Sequence, residues 1–235
     1  MKALILAAGK GTRMRELTES LPKPMVQVKG VPILERIITG LRDAAGITEF
    51  FLIVGYKKAI VMEHFGDGSR LGVAVTYGEQ VVQDGTGKAP EIAKEWIGAD
   101  RFLMSYGDIL IDAPDYAFLA SEFTGAADGV IALKAGEDLK KGGAVVLNDE
   151  GWMKELIEKT DNPPPNAYYN AGIYLLSPEI FRHTAALEKS ARGEYEFTDA
   201  LTGMVAAGGK LKGVQLRQSW VDVRDPEVLA KLNES

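Results

Sequence analysis

The chain has 235 residues, of which 46% are hydrophobic and 26% are charged, a composition typical of an ordinary globular domain. Cysteine is absent, which excludes a disulfide framework and a thiolate metal site. The net charge of −6 argues against binding a nucleic-acid backbone, which needs a basic face, but it permits binding of a small phosphorylated ligand. The apolar run at the N-terminus is too short for a signal peptide or a membrane span. We therefore expect a cytoplasmic protein with no nucleic-acid or membrane partner.

In the first half of the chain, short apolar runs of strand length alternate with segments of helical period. Strands are predicted at residues 2–8, 50–54, 73–77 and 102–105, and helices at 33–41, 59–64 and 89–96. Strands that alternate with helices indicate βαβ units and a mostly parallel sheet. The strands are continuously apolar, which is typical of a sheet that is covered on both faces.

The second half contains more predicted strand. Residues 144–147 and 152–157 form a predicted β-hairpin with a four-residue loop, and a further strand is predicted at 168–176. Helices are predicted at 178–187, 198–207 and 226–232. We expect one doubly wound α/β domain over residues 1–235, with an inserted β-rich lobe for a second substrate and no appended β-helix domain.

A glycine-rich turn directly follows the first predicted strand, in the run Leu6-Ala7-Ala8-Gly9-Lys10-Gly11-Thr12-Arg13. Glycines let a backbone approach phosphate oxygens and point several N–H groups at them. Arg13 adds a guanidinium that can clamp phosphate, and Lys23 of Pro22-Lys23-Pro24 adds a point charge. The spacing fits neither the dinucleotide fingerprint nor the P-loop. Taken alone, the segment could also be an ordinary turn with surface cations.

The combination of Gly9-Lys10-Gly11-Thr12-Arg13 with Pro22-Lys23-Pro24 resembles the signature of the sugar-1-phosphate nucleotidyltransferases. That family includes glucose-1-phosphate thymidylyl- and uridylyltransferases, mannose-1-phosphate guanylyltransferases and N-acetylmuramate-1-phosphate uridylyltransferases. The resemblance continues, in the expected order, through Gly55-Tyr56, Gln80, Gly85-Thr86-Gly87, Tyr106-Gly107-Asp108, Gly143, Glu158-Lys159, Asn170-Ala171-Gly172 and Trp220-Val221-Asp222. The sequence departs from the family pattern at Glu16, Lys88, Tyr106, Thr160 and Arg224-Asp225, but no departure removes a charged catalytic group.

The resemblance implies a Rossmann-like nucleotidyltransferase fold that binds a nucleoside triphosphate and a sugar 1-phosphate and releases pyrophosphate. The nucleotide-binding residues that it implies are Leu6, Ala8, Gly9, Gly11, Thr12, Arg13, Lys23, Gln80, Gly85, Gly107 and Asp108. Among these, the expected catalytic residues are Arg13, Lys23 and Asp108. The expected sugar-phosphate site comprises Gly143, Glu158, Lys159 and Asn170. A homo-oligomer is also compatible with the resemblance.

Two aspartates, Asp108 and Asp222, each follow an apolar strand. Ligands of open α/β sheets bind beyond the carboxyl ends of strands, and Mg²⁺ prefers hard oxygen ligands. With the resemblance, this placement predicts that both carboxylates bind Mg²⁺. The alternative is that each aspartate caps a turn.

Gln80 carries a donor and an acceptor on one amide and can therefore pair with uracil or thymine, which favours UTP or dTTP. Cytosine stays open because the amide can flip, and Gly85 is expected to give the base close approach to the backbone. The alternatives within the family are an N-acetylmuramate-1-phosphate uridylyltransferase and a heptose- or mannose-1-phosphate guanylyltransferase. Outside the family's reaction, the alternatives are a catalytically silent subunit that senses a nucleotide sugar and a nucleotide-sugar-dependent glycosyltransferase.

Overall fold

The structure is a computed structural model that describes residues 1–234, so Ser235, the last residue of the expected domain, lies outside the described residues. The strands in chain order are β1 (Lys2–Leu6), β2 (Gln27–Val28), β3 (Val31–Pro32), β4 (Glu49–Val54), β5 (Ala74–Glu79), β6 (Phe102–Tyr106), β7 (Ile109–Ile111), β8 (Gly129–Lys134), β9 (Gly143–Leu147), β10 (Met153–Glu158), β11 (Tyr168–Leu176), β12 (Leu211–Gln215) and β13 (Trp220–Asp222). The α-helices are α1 (Leu17–Ser20), α2 (Ile33–Ala45), α3 (Lys58–Phe65), α4 (Lys94–Ile97), α5 (Ala113–Glu122), α6 (Ile180–Ala185), α7 (Phe197–Ala206) and α8 (Pro226–Glu234). Short 3₁₀ helices cover Thr12–Met14, Lys23–Met25, Ser69–Leu71, Ala89–Ala93 and Leu139–Lys141.

The central sheet has nine strands, and its main path runs β10-β9-β11-β6-β1-β4-β5. Strands β6, β1, β4 and β5 are parallel to one another, and β11 lies antiparallel to β6. The long β11 also pairs with β8 and β9, while β12 extends the sheet from β8. By these pairings, only β11 and β10 run against the other strands of the sheet. The predicted doubly wound, mainly parallel α/β fold is therefore confirmed.

The strand order reverses beside β1, and this reversal determines where a crevice opens at the edge of the sheet. The chain passes from β1 to β4 and β5 on one side, and then returns to form β6 on the other side of β1. A crevice opens beyond the carboxyl ends of strands at such a reversal, where ligands of open α/β sheets bind. The loop after β1 carries the glycine-rich run, and the turn after β6 carries Asp108.

Apolar side chains bury both faces of the sheet, as its continuously apolar strands predict. In β1, Ala3 and Ile5 pack into the core that includes α2, whereas Leu4 between them packs into the core that includes α7. Helix α2 buries one stripe at helical spacing and is capped by Gly46, whose N–H bonds to the carbonyl of Arg42. Within residues 1–234, no helix is both long and apolar enough to cross a bilayer.

Several elements differ from the sequence predictions. The predicted hairpin forms as β9 and β10, but it joins the central sheet through β11 and does not build a separate sheet. The helix predicted at 89–96 is divided into a 3₁₀ segment and α4, because the N–H of Lys94 bonds to the carbonyl of Glu91, three residues earlier. Helix α5 and strands β8 and β12 were not predicted. Tertiary contacts cover their apolar residues, because β8 and β12 pair within the sheet and α5 packs mainly against α2.

Candidate active site

A cleft of about 490 Å³ lies at the carboxyl edge of β1 and β6 and extends toward β9, β10 and β11. All residues that the sequence assigns to nucleotide, sugar phosphate or metal line this one cleft. These are Leu6, Ala8, Gly9, Gly11, Thr12, Arg13, Lys23, Gln80, Gly85, Gly107, Asp108, Gly143, Glu158, Lys159, Asn170 and Asp222. The structure therefore brings the predicted residues together, and their individual roles remain predictions.

The two halves of the signature, Gly9–Arg13 and Pro22–Pro24, contact each other at Gly11. Gly11 has a φ of 69°, in the left-handed region, and its carbonyl accepts a hydrogen bond from the N–H of Met14 at 2.9 Å. A Cβ at this position would lie 2.6 Å from the Cβ of Lys23. Glycine is therefore needed at position 11 both for the turn and to let the Lys23 side chain pass.

Lys23 lies between the two aspartates that the sequence predicts as metal ligands. Its Nζ donates to Oδ2 of Asp108 and lies 3.7 Å from Oδ1 of Asp222. The antiparallel pair of β7 and β13 places Asp222 opposite Ile109, and the N–H of Val223 bonds to the carbonyl of Asp108 at 3.0 Å. The two carboxylates thus both lie beside the ammonium group of Lys23.

The environment of Asp222 fits a bound Mg²⁺. Its Oδ1 is buried with no hydrogen-bond partner among the described residues. Burial, and secondly the negative charge of Asp108, raise the pKa of Asp222 to about 6. Residues 1–234 contain no cluster of three or more His, Cys, Asp or Glu side chains that could hold a metal. Two hard carboxylates with the remaining ligands from phosphate and water form the pattern that Mg²⁺ favours.

The end of the cleft that the sequence predicts to bind the base is built by the loop after β5. The Nε2 of Gln80 donates to the carbonyl of Gly85 at 2.8 Å, and the Nε2 of Gln83 donates to the carbonyl of Ala8 at 3.0 Å. Gly85 has a φ of 116°, and a Cβ there would lie 2.3 Å from the carbonyl oxygen of Tyr195. The backbone of Tyr195 therefore requires glycine at position 85, a contact that the sequence does not reveal.

The opposite end of the cleft holds the predicted sugar-phosphate residues. Glu158 pairs with Gly143 across β10 and β9, and a Cβ on Gly143 would lie 3.2 Å from Oε2 of Glu158. The Asn170 side chain is fixed, because its Nδ2 donates to the hydroxyl of Tyr174 at 2.8 Å and its Oδ1 accepts from the N–H of Gly172 at 3.1 Å. Burial raises the pKa of Glu158, an effect that the charges of Lys159 and Arg192 oppose.

Other cleft residues were not assigned from the sequence. The polar and aromatic members of this group are Gln83, Thr86, Tyr106, Lys141, Tyr169, Arg192, Glu194, Glu196, Thr198, Trp220 and Arg224. Arg192 and Glu196 pair at 2.5 Å, and Trp220 donates from Nε1 to the carbonyl of Ala171 at 2.8 Å. Two sequence signals indicate part of this group: Thr86, Tyr106 and Trp220 lie within the family motifs, and charge is concentrated at Arg192, Glu194 and Glu196.

The arrangement separates three chemical environments within one cleft. Backbone N–H groups, Arg13 and Lys23 at the glycine-rich loop suit polyphosphate. Asp108 and Asp222 provide hard oxygens for a divalent cation beside that loop. Beyond them, Glu158, Lys159 and Asn170 offer acceptors and donors suited to hydroxyls and a second phosphate. The local cations allow anion binding although the whole chain carries a net charge of −6.

The sequence is similar to those of several known proteins. The chain is 37% identical over 234 residues to the bifunctional protein GlmU of Methanocaldococcus jannaschii, and the match covers 100% of this chain and 54% of that protein. The chain thus spans about half the length of the GlmU relatives it matches. It is also 34% identical over 229 residues to AglF of Haloferax volcanii, a UTP–glucose-1-phosphate uridylyltransferase, with 97% of this chain and 93% of AglF covered.

Solved structures show the same architecture. A protein from Bacillus anthracis described as a glucose-1-phosphate thymidylyltransferase, in complex with sucrose, superposes with a TM-score of 0.87 at 26% identity and covers 100% of this chain and 94% of that one. A UDP-glucose pyrophosphorylase complexed with UDP-glucose has the same TM-score at 22% identity, which shows the fold alone; 99% of this chain and 97% of that chain are covered.

The family model for nucleotidyl transferases matches residues 2–235. That match extends over nearly the whole chain, including the glycine-rich loop, both aspartates and the predicted sugar-phosphate residues. The chain belongs to the nucleotidyl transferase family, and its likeness to AglF and GlmU confirms the resemblance to the sugar-1-phosphate nucleotidyltransferases.

Proposed function

We propose that this protein transfers a nucleotidyl group from a nucleoside triphosphate to a sugar 1-phosphate, forming a nucleotide sugar and pyrophosphate. The observation that carries the proposal is the single cleft in which the glycine-rich loop and the Lys23–Asp108–Asp222 cluster face the Glu158–Asn170 end. The full family match supports the same reaction class.

The reaction needs no nucleophile from the protein, because the sugar phosphate is already an anion. One of its oxygens attacks the α-phosphorus of the nucleotide, the bond to the β-phosphate oxygen breaks, and pyrophosphate leaves with that electron pair. The protein then acts by positioning and by neutralising charge. In this proposal Arg13 binds the triphosphate and the leaving group, and Lys23 stabilises the α-phosphate as charge develops there.

Asp108 and Asp222 are the residues that would hold Mg²⁺. When bound, the ion would neutralise phosphate charge and polarise the reacting phosphorus. The buried Oδ1 of Asp222 supports this assignment, because it has no hydrogen bond and the Lys23 ammonium approaches it only to 3.7 Å, which leaves one of its acceptor positions for a cation.

The hydrogen bond from Gln80 to Gly85 supports uracil or thymine as the base. Because the amide nitrogen donates to the carbonyl of Gly85, flipping the amide would place two acceptors against each other. The amide oxygen is then the group available to accept the N3–H of uracil or thymine, and the second amide hydrogen can donate to O4. Cytosine would need the flipped amide. We therefore propose UTP or dTTP as the nucleotide, with CTP disfavoured.

For the acceptor, the similarity to AglF makes glucose 1-phosphate the first sugar phosphate to test. N-acetylmuramate 1-phosphate, with UTP, remains an alternative within the same reaction. A guanylyltransferase also remains an alternative, because guanine presents N1–H beside O6, the same donor and acceptor pattern that Gln80 would meet in uracil. A silent sensing subunit is disfavoured because Arg13, Lys23, Asp108 and Asp222 are all present in the cleft. We also propose a cytoplasmic location, as the sequence predicts.

The experiment that tests the proposal measures pyrophosphate release for each of UTP, dTTP, CTP, GTP and ATP against a panel of sugar 1-phosphates. We expect release that requires both substrates and a divalent cation, with the highest kcat/KM for UTP or dTTP. No release with any pair would reject the enzyme in favour of the sensing subunit. Release of a nucleoside diphosphate from a nucleotide sugar would indicate a glycosyltransferase. A preference for GTP would favour the guanylyltransferase alternative.

A further inference from the structure

The turn that leads into β13 is held by two carboxylates at the start of helix α5. Asp115 is only 1% exposed, and its two oxygens accept hydrogen bonds from the N–H of Arg217, at 3.2 Å each, and from the N–H of Gln218 at 3.0 Å. Asp112 accepts a further bond from the N–H of Ser219 at 3.2 Å. The three consecutive N–H groups of residues 217–219 are thus all directed at α5.

Burial of the Asp115 carboxylate costs desolvation free energy that other groups must compensate. Within residues 1–234 it forms no ion pair, so backbone N–H groups compensate for its lost hydration. The turn has further attachments on the same side. The guanidinium of Arg217 lies 3.3 Å from the ring centroid of Phe118 in α5, and the Nζ of Lys134 bonds to the carbonyl of Gln218 at 2.8 Å. The contact of Arg217 with Phe118 holds the turn against α5, and the bond from Lys134 holds it against the end of β8.

This turn sits directly before the strand that carries Asp222. Strand β13 begins at Trp220, and it pairs with β7 so that Trp220 lies opposite Ile111 and Asp222 opposite Ile109. Strand β7 follows Asp108 in the chain and leads into α5. The segment that carries Asp108 is therefore connected to the segment that carries Asp222 in two places. One is the pairing of β7 with β13, and the other is the set of hydrogen bonds from Asp115 in α5 to the turn before β13.

Side chains alternate between the two faces of a strand, so a shift of one residue in β13 would turn the side chain of Asp222 away from Asp108. The pair of β7 and β13 is only three residues long and has few ladder bonds of its own to resist such a shift. The hydrogen bonds from residues 217–219 to Asp112 and Asp115 supply that resistance at the start of the strand.

We propose that Asp115, assisted by Asp112, is a positioning residue that fixes the register of β13 and so holds Asp222 beside Asp108. The inference rests on the proposed role of Asp108 and Asp222 as the metal pair. Neither Asp112 nor Asp115 lines the cleft, so their effect on the metal site would pass through the backbone of β13.

The test measures Mn²⁺ binding to the whole protein by electron paramagnetic resonance, with chemical unfolding measured in parallel. The variants are Asp115→Asn, which keeps the shape but turns an amide N–H toward the turn, and the milder Asp112→Asn. The control is Asp128→Asn, because Asp128 accepts the N–H of Lys210 at 2.8 Å in the turn at the opposite end of β12. Asp108→Asn identifies the site.

We expect one Mn²⁺ site that Asp108→Asn removes. Asp115→Asn should weaken Mn²⁺ binding by about 10–100-fold, the usual effect of losing a group that orients a metal ligand. Asp112→Asn should have a smaller effect, and Asp128→Asn should bind Mn²⁺ like the wild type even where its stability falls. Unchanged Mn²⁺ affinity in Asp115→Asn, or an equal loss in Asp128→Asn, would overturn the positioning role. Absence of the site in the wild type would instead reject the metal pair.

Discussion

Lys23 is the residue at which the glycine-rich loop and the carboxylate pair are joined. The residue is only 7% exposed. Its side chain passes over Gly11 and ends between Asp108 and Asp222. Two carboxylates facing one cleft repel each other, and the ammonium group reduces that repulsion. Lys23 therefore supports the site electrostatically in addition to its proposed contact with the α-phosphate.

Replacing Arg13 or Lys23 by alanine should lower kcat by about 10²–10³, the scale for one preorganised transition-state donor. The effect should fall mainly on kcat, because the charge that each residue meets grows in the transition state. Steady-state kinetics with pyrophosphate detection provide the measurement. Lys10→Ala is the control, since the Lys10 ammonium lies over the ring of Tyr56, 5.5 Å from its centroid. Turnover like the wild type in Arg13→Ala would leave Arg13 as a surface cation.

Asp222→Asn should stabilise the metal-free protein at neutral pH while it weakens the metal site. The folded pKa of Asp222 is about 6, above the ordinary value of 3.8. The fold therefore favours the protonated carboxyl, and Asp222 lowers stability progressively as the pH rises from about 4 to 6. Removing the charge should recover about 2–3 kcal/mol above pH 6 and almost nothing below pH 4.

Urea unfolding at pH 4 and pH 8, with a chelator present, measures this difference. Asp149→Asn, in the exposed β9–β10 turn, is the control and should show no such pH dependence. If Asp222→Asn is less stable than the wild type at pH 8, the buried carboxylate is better compensated by Lys23 than its environment indicates. The prediction that Asp222 lowers the stability of the metal-free protein would then be wrong.

At the scale of elements, the glycine-rich loop is shaped by its contact with the 3₁₀ helix Lys23–Met25. Gly11 combines a positive φ with a close approach to Lys23. Gly30, in the β2–β3 turn, has a φ of 76°, but a Cβ added there would meet no neighbouring heavy atom within 4 Å. The two glycines thus separate the effect of backbone conformation from the effect of crowding.

Gly30→Ala should destabilise the protein by about 1–2 kcal/mol, from the left-handed conformation alone. Gly11→Ala should lose that amount and about 1–3 kcal/mol more, because the added methyl group displaces the stem of Lys23. Gly11→Ala should also reduce kcat in line with Lys23→Ala, whereas Gly30→Ala should not. Urea unfolding and steady-state kinetics measure both effects. Equal stability losses in the two variants would show that Lys23 moves aside without strain.

At the scale of the whole molecule, the cleft joins two structurally different parts of one sheet. The proposed nucleotide end is built by loops that follow the parallel strands β1, β5 and β6, and the proposed sugar-phosphate end by β9, β10 and β11. Strand β11 connects the parts, because it pairs with β6 at one end and with β9 at the other.

This division predicts that variants at the two ends affect different substrates. Gln80→Ala should raise KM for the nucleotide by about 10-fold, through the loss of hydrogen bonds worth about 1–1.5 kcal/mol, and leave KM for the sugar phosphate unchanged. Asn170→Ala should raise KM for the sugar phosphate by a similar factor and leave KM for the nucleotide unchanged. Initial rates with each substrate varied in turn provide the measurement. A rise in both KM values for either variant would show that the two ends are coupled.

The sequence by itself determined the fold class and about half of the residues that line the cleft. Strand-length apolar runs and helical stripes report locally which segments are strands or helices, and the predicted strand at residues 168–176 coincides with β11. Likewise, the spacing of Gly9–Arg13 and Pro22–Pro24 is read within a short stretch of chain. These features depend on neighbours in sequence, so the sequence displays them directly.

Only the tertiary structure decided how distant segments meet. The pairing of β7 with β13 brings Asp222 to Asp108, and Tyr195 imposes glycine at position 85, yet neither contact leaves a local pattern. Strand β12 and helix α5 were missed because their burial comes from tertiary contacts rather than from their own periodicity, whereas β8 contains the apolar run at 130–133, a local signal of the kind that predicts the other strands. The physical reason is that the order of strands in a sheet is set by long-range packing, which no short window of sequence contains.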